Sequence, residues 1–340
     1  MKKIFFIFLL FFPITILAIS TSARSAILMD TDSNRILYEK NINEIRSVAS
    51  ISKIMTAIVA IESGKMKKEV TVGDEIDSSY GSGIYLQKGE KLKLEDLVYG
   101  LMLRSGNDAA LAIANYVGGS VDRFVELMNK KAQEIGMKNT TFNNPSGLDQ
   151  DKGNYSTAYD MAILTSYAMK NKEYRKITGT KKYTLKTNKN VYSWINKNKL
   201  LKLYKYTTGG KTGFTEKARR TLVSTATKND TNLVVVTLND GNDWEDHQNL
   251  FEYGFNNFKT IKILNKGQIN IYDEKYYKDY ILYVKNNFSY TITSNEENSL
   301  LIKYQLNKVR NIKNNQKVGE ALIYLGDKKI HKENIYVKER

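Results

Sequence analysis

The chain has 340 residues, 52 basic against 36 acidic side chains, a formal charge of +16, two histidines and no cysteine. Without cysteine there is no disulfide framework, no thiol nucleophile and no Cys-ligated metal, and two histidines as distant as His247 and His331 argue against a zinc centre of clustered ligands. The length suits one large domain plus a smaller one, and the charge points to anionic surroundings: nucleic acid, a membrane surface or an acidic polymer.

At the N-terminus, Lys2 and Lys3 precede an uncharged apolar run from Ile4 to Ile19, with small residues at Ala18, Ser20 and Ala23. This is the layout of a secretory leader over residues 1–23. The alternative is an uncleaved anchor helix, for which the run is short and interrupted by Pro13. Export excludes nucleic acid as a partner and leaves an anionic cell envelope. "SAILMDTDSNRILYEKN" predicts a hairpin turning at DTDSN. An apolar helix follows from Ser50 and stops at Gly64. "EVTVGDEI" predicts a strand, and after a Gly/Ser loop come a short strand and two helices parted by RSGND. "SVDRFVELMNKKAQEIG" is an amphipathic helix ended by Gly136. "FNNPSGLD" is a turn, and Thr157 with Asp160 forms a capping-box pattern opening the next helix. Strands dominate from Lys181 to Thr237, and a last helix starts near Asp243. The expected catalytic part, residues 24–258, is an α/β (α+β) domain with an antiparallel sheet covered by helices. Residues 259–340 carry short alternating runs such as "TIKIL", "YILYV" and "LLIKYQL", which predict a small all-β domain.

The chemistry starts at "SVASISKIMTAIVAIESGK", where Lys53 lies in an apolar helix three residues after Ser50. A buried amine is disfavoured as the cation, so its pKa falls and it can act as a base. Spacing of three places Ser50 and Lys53 on one helix face. A helix N-terminus also favours developing negative charge at Ser50. Taken alone, the same stretch is equally an N-cap serine and a lysine snorkelling to water. A histidine base would have to be His247, with no nucleophile-elbow motif to support it. Two later motifs bear on the choice. Ser105-Gly106-Asn107 separates two apolar helices, where it could also be a simple helix break. Lys211-Thr212-Gly213 lies in "TTGGKTGFT", where a glycine allows close approach to the backbone and Lys211 and Thr212 offer charge and a hydroxyl to an anion.

In the order Ser-x-x-Lys, Ser-x-Asn, Lys-Thr-Gly, the chain resembles the low-molecular-mass penicillin-binding proteins that act as serine-type D-alanyl-D-alanine carboxypeptidases, peptidase family S11. "YGLMLRSGNDAALAIA", "FNNPSGLDQDKGNYSTAYDMAIL" and "GGKTGFTEKARRTLVSTA" are similar to whole family segments, in family order, and the tail resembles the family's C-terminal domain. The resemblance implies a penicillin-binding/β-lactamase-like fold. It implies that Ser50 is the acyl-ester nucleophile, Lys53 its general base and Ser105 a proton shuttle. Asn107 would hold the substrate amide, Lys211 and Thr212 beside Gly213 the terminal carboxylate, and the backbone N–H groups of Ser50 and Phe214 the oxyanion. Lys197 matches a basic substrate contact or is a surface lysine, and Ser82, after Gly81, matches a loop near the cleft.

The partners implied are peptidoglycan stem peptides ending in D-Ala-D-Ala and β-lactam antibiotics, with no metal and no cofactor. Phe214 departs from the histidine of several relatives, and Asp243 and Trp244 stand where relatives carry an arginine before the last helix. A class A β-lactamase would need a glutamate for deacylation, and "MKNTTFNNPSGLDQ" has none, so slow release of penicillin is expected. A D,D-endopeptidase would differ in cleft shape, and a non-catalytic wall-binding protein predicts decay of the motifs. The basic end "KKIHKENIYVKER" lacks an adequate apolar face for a membrane-lying helix, so weak electrostatic association with the envelope or release into the wall space is expected, unless the leader stays uncleaved.

Overall fold

The structure is a computed structural model that describes residues 19–149, 152–272 and 274–340. Most of the expected leader, residues 1–18, lies outside the described residues. Strand β1 (Ser25–Asp30) and strand β2 (Ile36–Lys40) form the expected hairpin. Strands β3 (Thr207–Thr215), β4 (Arg219–Lys228) and β5 (Thr231–Leu238) complete an antiparallel sheet in the order β2-β1-β5-β4-β3. Side chains alternate between the two faces of a strand. Ile27 and Met29, with Val234, Val236 and Leu238, therefore enter one core, while Leu28, Leu233 and Val235 enter another.

The larger core lies under helices α1 (Lys53–Glu62), α2 (Leu94–Arg104), α3 (Asn107–Gly118), α4 (Val121–Glu134), α5 (Ala158–Met169) and α6 (Lys172–Gly179). Helix α7 (Asp243–Asn257) covers the opposite face with Leu250 and Phe251. Helix α1 is buried at every position from Lys53 to Ile61, which is why its sequence reads as apolar all round. The strand expected over "EVTVGDEI" is shorter than its pattern: Glu69–Thr71 pairs with Lys91–Lys93, and Asp74–Ser78 turns as a 3-10 helix. The capping box at Thr157 is half made. Its hydroxyl accepts from Asp160 N at 3.0 Å, but the Asp160 carboxylate turns away to Asn139 N and the Thr140 hydroxyl.

Among the described residues beyond α7, the regular elements are strands apart from one 3-10 segment. β6 (Lys259–Leu264) and β9 (Phe288–Ile292) pair with each other. β7 (Gly267–Gln268), β8 (Tyr280–Val284), β10 (Leu300–Leu306), β11 (Gln316–Leu325) and β12 (Lys328–Glu339) form a second sheet in the order β7-β8-β12-β11-β10. The basic end of the chain is thus a central strand with Ile335 and Val337 in the core. The β1–β2 turn meets this part of the molecule through polar contacts. Thr291 Oγ1 donates to Asp30 Oδ2 at 2.8 Å, and Arg35 reaches the Glu296 carboxylate at 2.7 Å and the Thr291 carbonyl at 2.7 Å. Among the described residues, no helix is long and apolar enough to cross a membrane.

Candidate active site

Strand β3 forms the edge of the main sheet, and the turn that leads into α1 lies against it. That turn is a 3-10 segment, Ala49–Ser52, and Lys53 is the first residue of the α-helix proper. Ala49 has φ +50°, a left-handed conformation that is sparsely populated outside glycine and is held here by surrounding contacts. Thr221 on β4 donates to Val48 O at 3.1 Å, and the Ser52 hydroxyl donates to Ala49 O at 2.9 Å. No side chain caps α1, so Ser50 is not spent as an N-cap. It is partly exposed at the start of the helix.

Lys53 is fully buried, and its Nζ lies 3.0 Å from Ser50 Oγ. It is also 2.7 Å from Asn107 Oδ1 and in hydrogen-bond contact with the Ser146 carbonyl. None of these partners is a carboxylate. Burial, followed by the nearby charges of Lys211 and Lys197, pushes the Lys53 pKa well below the usual lysine range, against a smaller opposing pull from Asp108. Lys211 on β3 is 1% exposed, donates to Thr212 O at 2.8 Å, and is brought down to about 7 by burial and then by Lys197.

The Ser105-Gly106-Asn107 segment is the joint between α2 and α3. Ser105 ends α2 in the left-handed conformation at φ +64° and is 4% exposed. Among the described residues its hydroxyl makes no hydrogen bond to Ser50 or Lys53. Asn107 begins α3, with Nδ2 donating to Tyr80 O at 2.6 Å while Oδ1 faces Lys53. Asp108 fixes the loop in front of α3: its buried carboxylate accepts from the backbone N–H of Ile84 at 3.0 Å and of Leu86 at 3.1 Å. The same loop carries Ser82, whose carbonyl accepts from Asn107 N at 2.7 Å and whose hydroxyl accepts from Lys197 Nζ at 3.2 Å. Lys197 and Ser82 are therefore joined to each other at the rim. Lys197 is itself held below the usual lysine range by burial and by Arg104.

Gly213 faces the Ser50 backbone. A Cβ added there would lie 3.0 Å from Ser50 N and 3.1 Å from Ile51 N, so the close approach of β3 to this turn depends on the glycine. Thr212 is partly buried, and Phe214 is 56% exposed.

The reading from sequence missed the Ser146 carbonyl. The "NPSGLD" turn brings it to Lys53 and Ser50, and Gly147 at φ +83° lets the turn sit against Ala49. The Asn144 side chain folds that turn by accepting from Ser146 N at 3.1 Å and Gly147 N at 2.6 Å. An asparagine before Pro-Ser-Gly is a turn signal, but a backbone acceptor has no side-chain signature. A cavity of about 350 Å³ opens beside Asn107, bordered by Tyr80, Leu111, Pro145, Ser146 and Leu148. His247 lies away from this site, on the α7 face. It is buried with Nδ1 2.5 Å from Ser224 Oγ and Nε2 3.0 Å from Thr237 Oγ1.

Residues 14–242 match the family model described as D-alanyl-D-alanine carboxypeptidase, and residues 258–340 match that of the penicillin-binding protein 5 C-terminal domain. D-alanyl-D-alanine carboxypeptidase DacF of Bacillus subtilis is 36% identical over 255 residues, covering 72% of this chain and 65% of that protein. DacA of Haemophilus influenzae is 33% identical over 346 residues, covering 93% of this chain and 84% of its own length. The crystal structure of penicillin binding protein 5 from Haemophilus influenzae superposes with a TM-score of 0.80 at 31% identity, covering 94% of this chain and 97% of that one. With both parts of the fold matched, and a buried lysine beside a partly exposed serine at the centre of the first, the chain belongs to the D-alanyl-D-alanine carboxypeptidase family of serine peptidases.

Proposed function

We propose that this protein removes the terminal D-alanine from peptidoglycan stem peptides through an acyl-enzyme on Ser50. The observation that carries the reading is the set of atoms around Lys53 Nζ. A neutral amine has two N–H bonds and one lone pair. With Asn107 Oδ1 and the Ser146 carbonyl taking the two hydrogens, the lone pair is left for the Ser50 hydroxyl at 3.0 Å.

In this reading Lys53 accepts the Ser50 proton as Oγ attacks the carbonyl carbon between the two D-alanines. The Ser50 and Phe214 N–H groups stabilise the oxyanion. Collapse of the tetrahedral intermediate breaks the C–N bond, and the proton returns from Lys53 through the Ser105 hydroxyl to the leaving amine. Water then attacks the ester and frees Ser50. Lys211 and Thr212 hold the substrate's terminal carboxylate, with Lys197 adding positive potential at the rim. Asn107 orients the amide, and the cavity beside it has room for the rest of the stem peptide. Penicillin, with its own carboxylate and strained amide, acylates the same serine. The catalytic domain comprises residues up to 258 and the all-β domain residues 259–340. Export places the enzyme at the anionic envelope, where its positive charge gives salt-sensitive association.

The test pairs two assays on the purified protein. Labelled penicillin should form a covalent adduct that Ser50→Ala abolishes. D-Alanine release from a peptide ending in D-Ala-D-Ala should fall by about 10²–10⁴-fold in Lys53→Ala, the usual contribution of a positioned base. An adduct that survives Ser50→Ala, or equal release by Lys53→Ala, would sink the assignment.

A further inference from the structure

We infer that the export leader ends at Ser20, three residues before the boundary at residue 23 read from the sequence, so that the mature protein begins at Thr21. The inference rests on the export reading above, and its test reads the N-terminus directly, without reference to peptidase activity. Leader cleavage requires small residues at the last and third-last positions of the leader. Before β1 begins at Ser25, the sequence offers three such pairs: Ala18 with Ser20, Ser20 with Ser22, and Thr21 with Ala23.

The fold distinguishes among them. Ser22 is built into the catalytic domain. Its N–H donates to Asp246 Oδ2 at 2.7 Å, and its hydroxyl lies 2.6 Å from Asp240 Oδ1 and 2.8 Å from Asp246 Oδ2. The same hydroxyl oxygen accepts from Asn242 N at 3.1 Å. On either side of it, Thr21 O accepts from Lys40 Nζ at 2.7 Å, and Ala23 is 1% exposed. Arg24 N then joins the end of β5 through the Leu238 and Asn239 carbonyls.

Asp240 and Asp246 are 1% and 6% exposed, and among the described residues Asp240 Oδ2 already lacks a hydrogen-bond partner. Cleavage after Ser22 or Ala23 would remove the serine that supplies donors to both. Two buried carboxylates would then face each other without it, an arrangement that is strongly disfavoured.

Cleavage after Ser20 keeps every one of these contacts. Ser20 is exposed and outside regular structure, and Ile19 reaches only the margin of the α7 core, so both can leave without baring a buried polar group. In this step water adds across the Ser20–Thr21 amide. The carboxylate stays on the leader and the amine on Thr21, where it protonates to an ammonium one residue from the Asp240–Asp246 pair. Thr21 is 8% exposed in the folded protein, so a membrane-bound leader peptidase must act during export, before residues 21–24 dock.

The experiment expresses the full-length gene in a bacterium, recovers the exported protein, and determines its N-terminus by sequencing and intact mass. Thr21 as the first residue is the expected result. A first residue of Ala23 or Arg24, or a chain that keeps its leader, overturns the inference. A second arm uses Ser20→Trp, which places a bulky side chain at the cleaved position. The leader-bearing form should accumulate and still be labelled by penicillin, whereas processing at the wild-type position would overturn the assignment.

Discussion

The charge on Lys211 gives the sharpest quantitative test of the site. Burial and Lys197 hold its pKa at about 7 rather than the ordinary 10.5. That gap corresponds to about 5 kcal/mol against the ammonium form, at about 1.4 kcal/mol per tenfold change. A substrate carboxylate that pairs with Lys211 restores the ammonium, so the loss falls on binding. In the ligand-free enzyme the charged fraction drops by about tenfold per pH unit from pH 8 upward. KM for a peptide ending in D-Ala-D-Ala should rise by that factor while kcat on the saturated enzyme holds. The assay is D-alanine release measured from pH 6 to 9.5 over a full range of substrate concentrations. Lys211→Arg keeps its charge across this range and should flatten the rise. A substrate with its terminal carboxylate converted to an amide should show no rise even in the wild type, which covers the case where arginine does not fit. A wild-type KM that stays level from pH 7 to 9.5 would refute the reasoning.

Three further outcomes follow from the geometry. Gly213→Ala sets a methyl group 3.0 Å from Ser50 N and 2.4 Å from Thr221 Oγ1, so the Thr221 hydroxyl must move. It should slow acylation by labelled penicillin by about 10²-fold, the scale of losing one oxyanion donor, with some loss of thermal stability as the Thr221 hydroxyl is pushed from Val48 O; an unchanged acylation rate would count against the oxyanion role. Asp108→Ala leaves the Ile84 and Leu86 N–H groups without their acceptor, at about 1–3 kcal/mol, and should speed amide exchange at both positions and raise KM. His247 is held at about 3 in the fold against an ordinary 6.5. Below pH 6.5 the unfolded chain therefore binds a proton that the folded chain refuses, and stability falls as the pH drops from 6.5 towards 3, by up to about 5 kcal/mol. Urea unfolding of His247→Gln should show a shallower loss across that window than the wild type, and parallel curves would exclude His247 as a cause.

The residues that meet at the candidate site were legible in the sequence where a particular side chain stands out. A lysine in an apolar run, Asn107 at a helix joint and Lys211 among glycines each violate a local rule, and such violations collect at functional sites. The layers were legible for a related reason: Ile27 and Met29 alternate with Leu28, and a strand must send them to opposite cores. What escaped was whatever the backbone supplies. The Ser146 carbonyl, the left-handed Ala49 and the way Asp108 pins Ile84 and Leu86 all depend on where distant loops come to rest. Thr157 and Asp160 show the converse. The pattern was correct for the helix start, yet the tertiary fold claimed the carboxylate for Asn139 and Thr140.

The position of β3 at the margin of its sheet has a further consequence. An edge strand presents a row of unshared amide groups, which in most proteins invites aggregation. Here one side of the strand is paired to β4; on the other, side chains of Thr178 and Asn198 already take the Gly209 and Gly210 amide groups, so only the stretch after Lys211, beside the Ser50 turn, is left open. An extended peptide laid along that open stretch would add a short transient sixth strand, gripped through its main chain rather than its side chains. A binding surface of this kind tolerates variety in the side chains of its guest and is strict about backbone direction. The same open margin makes a short β-forming peptide, unrelated in sequence to cell-wall material, a starting point for a reversible blocker.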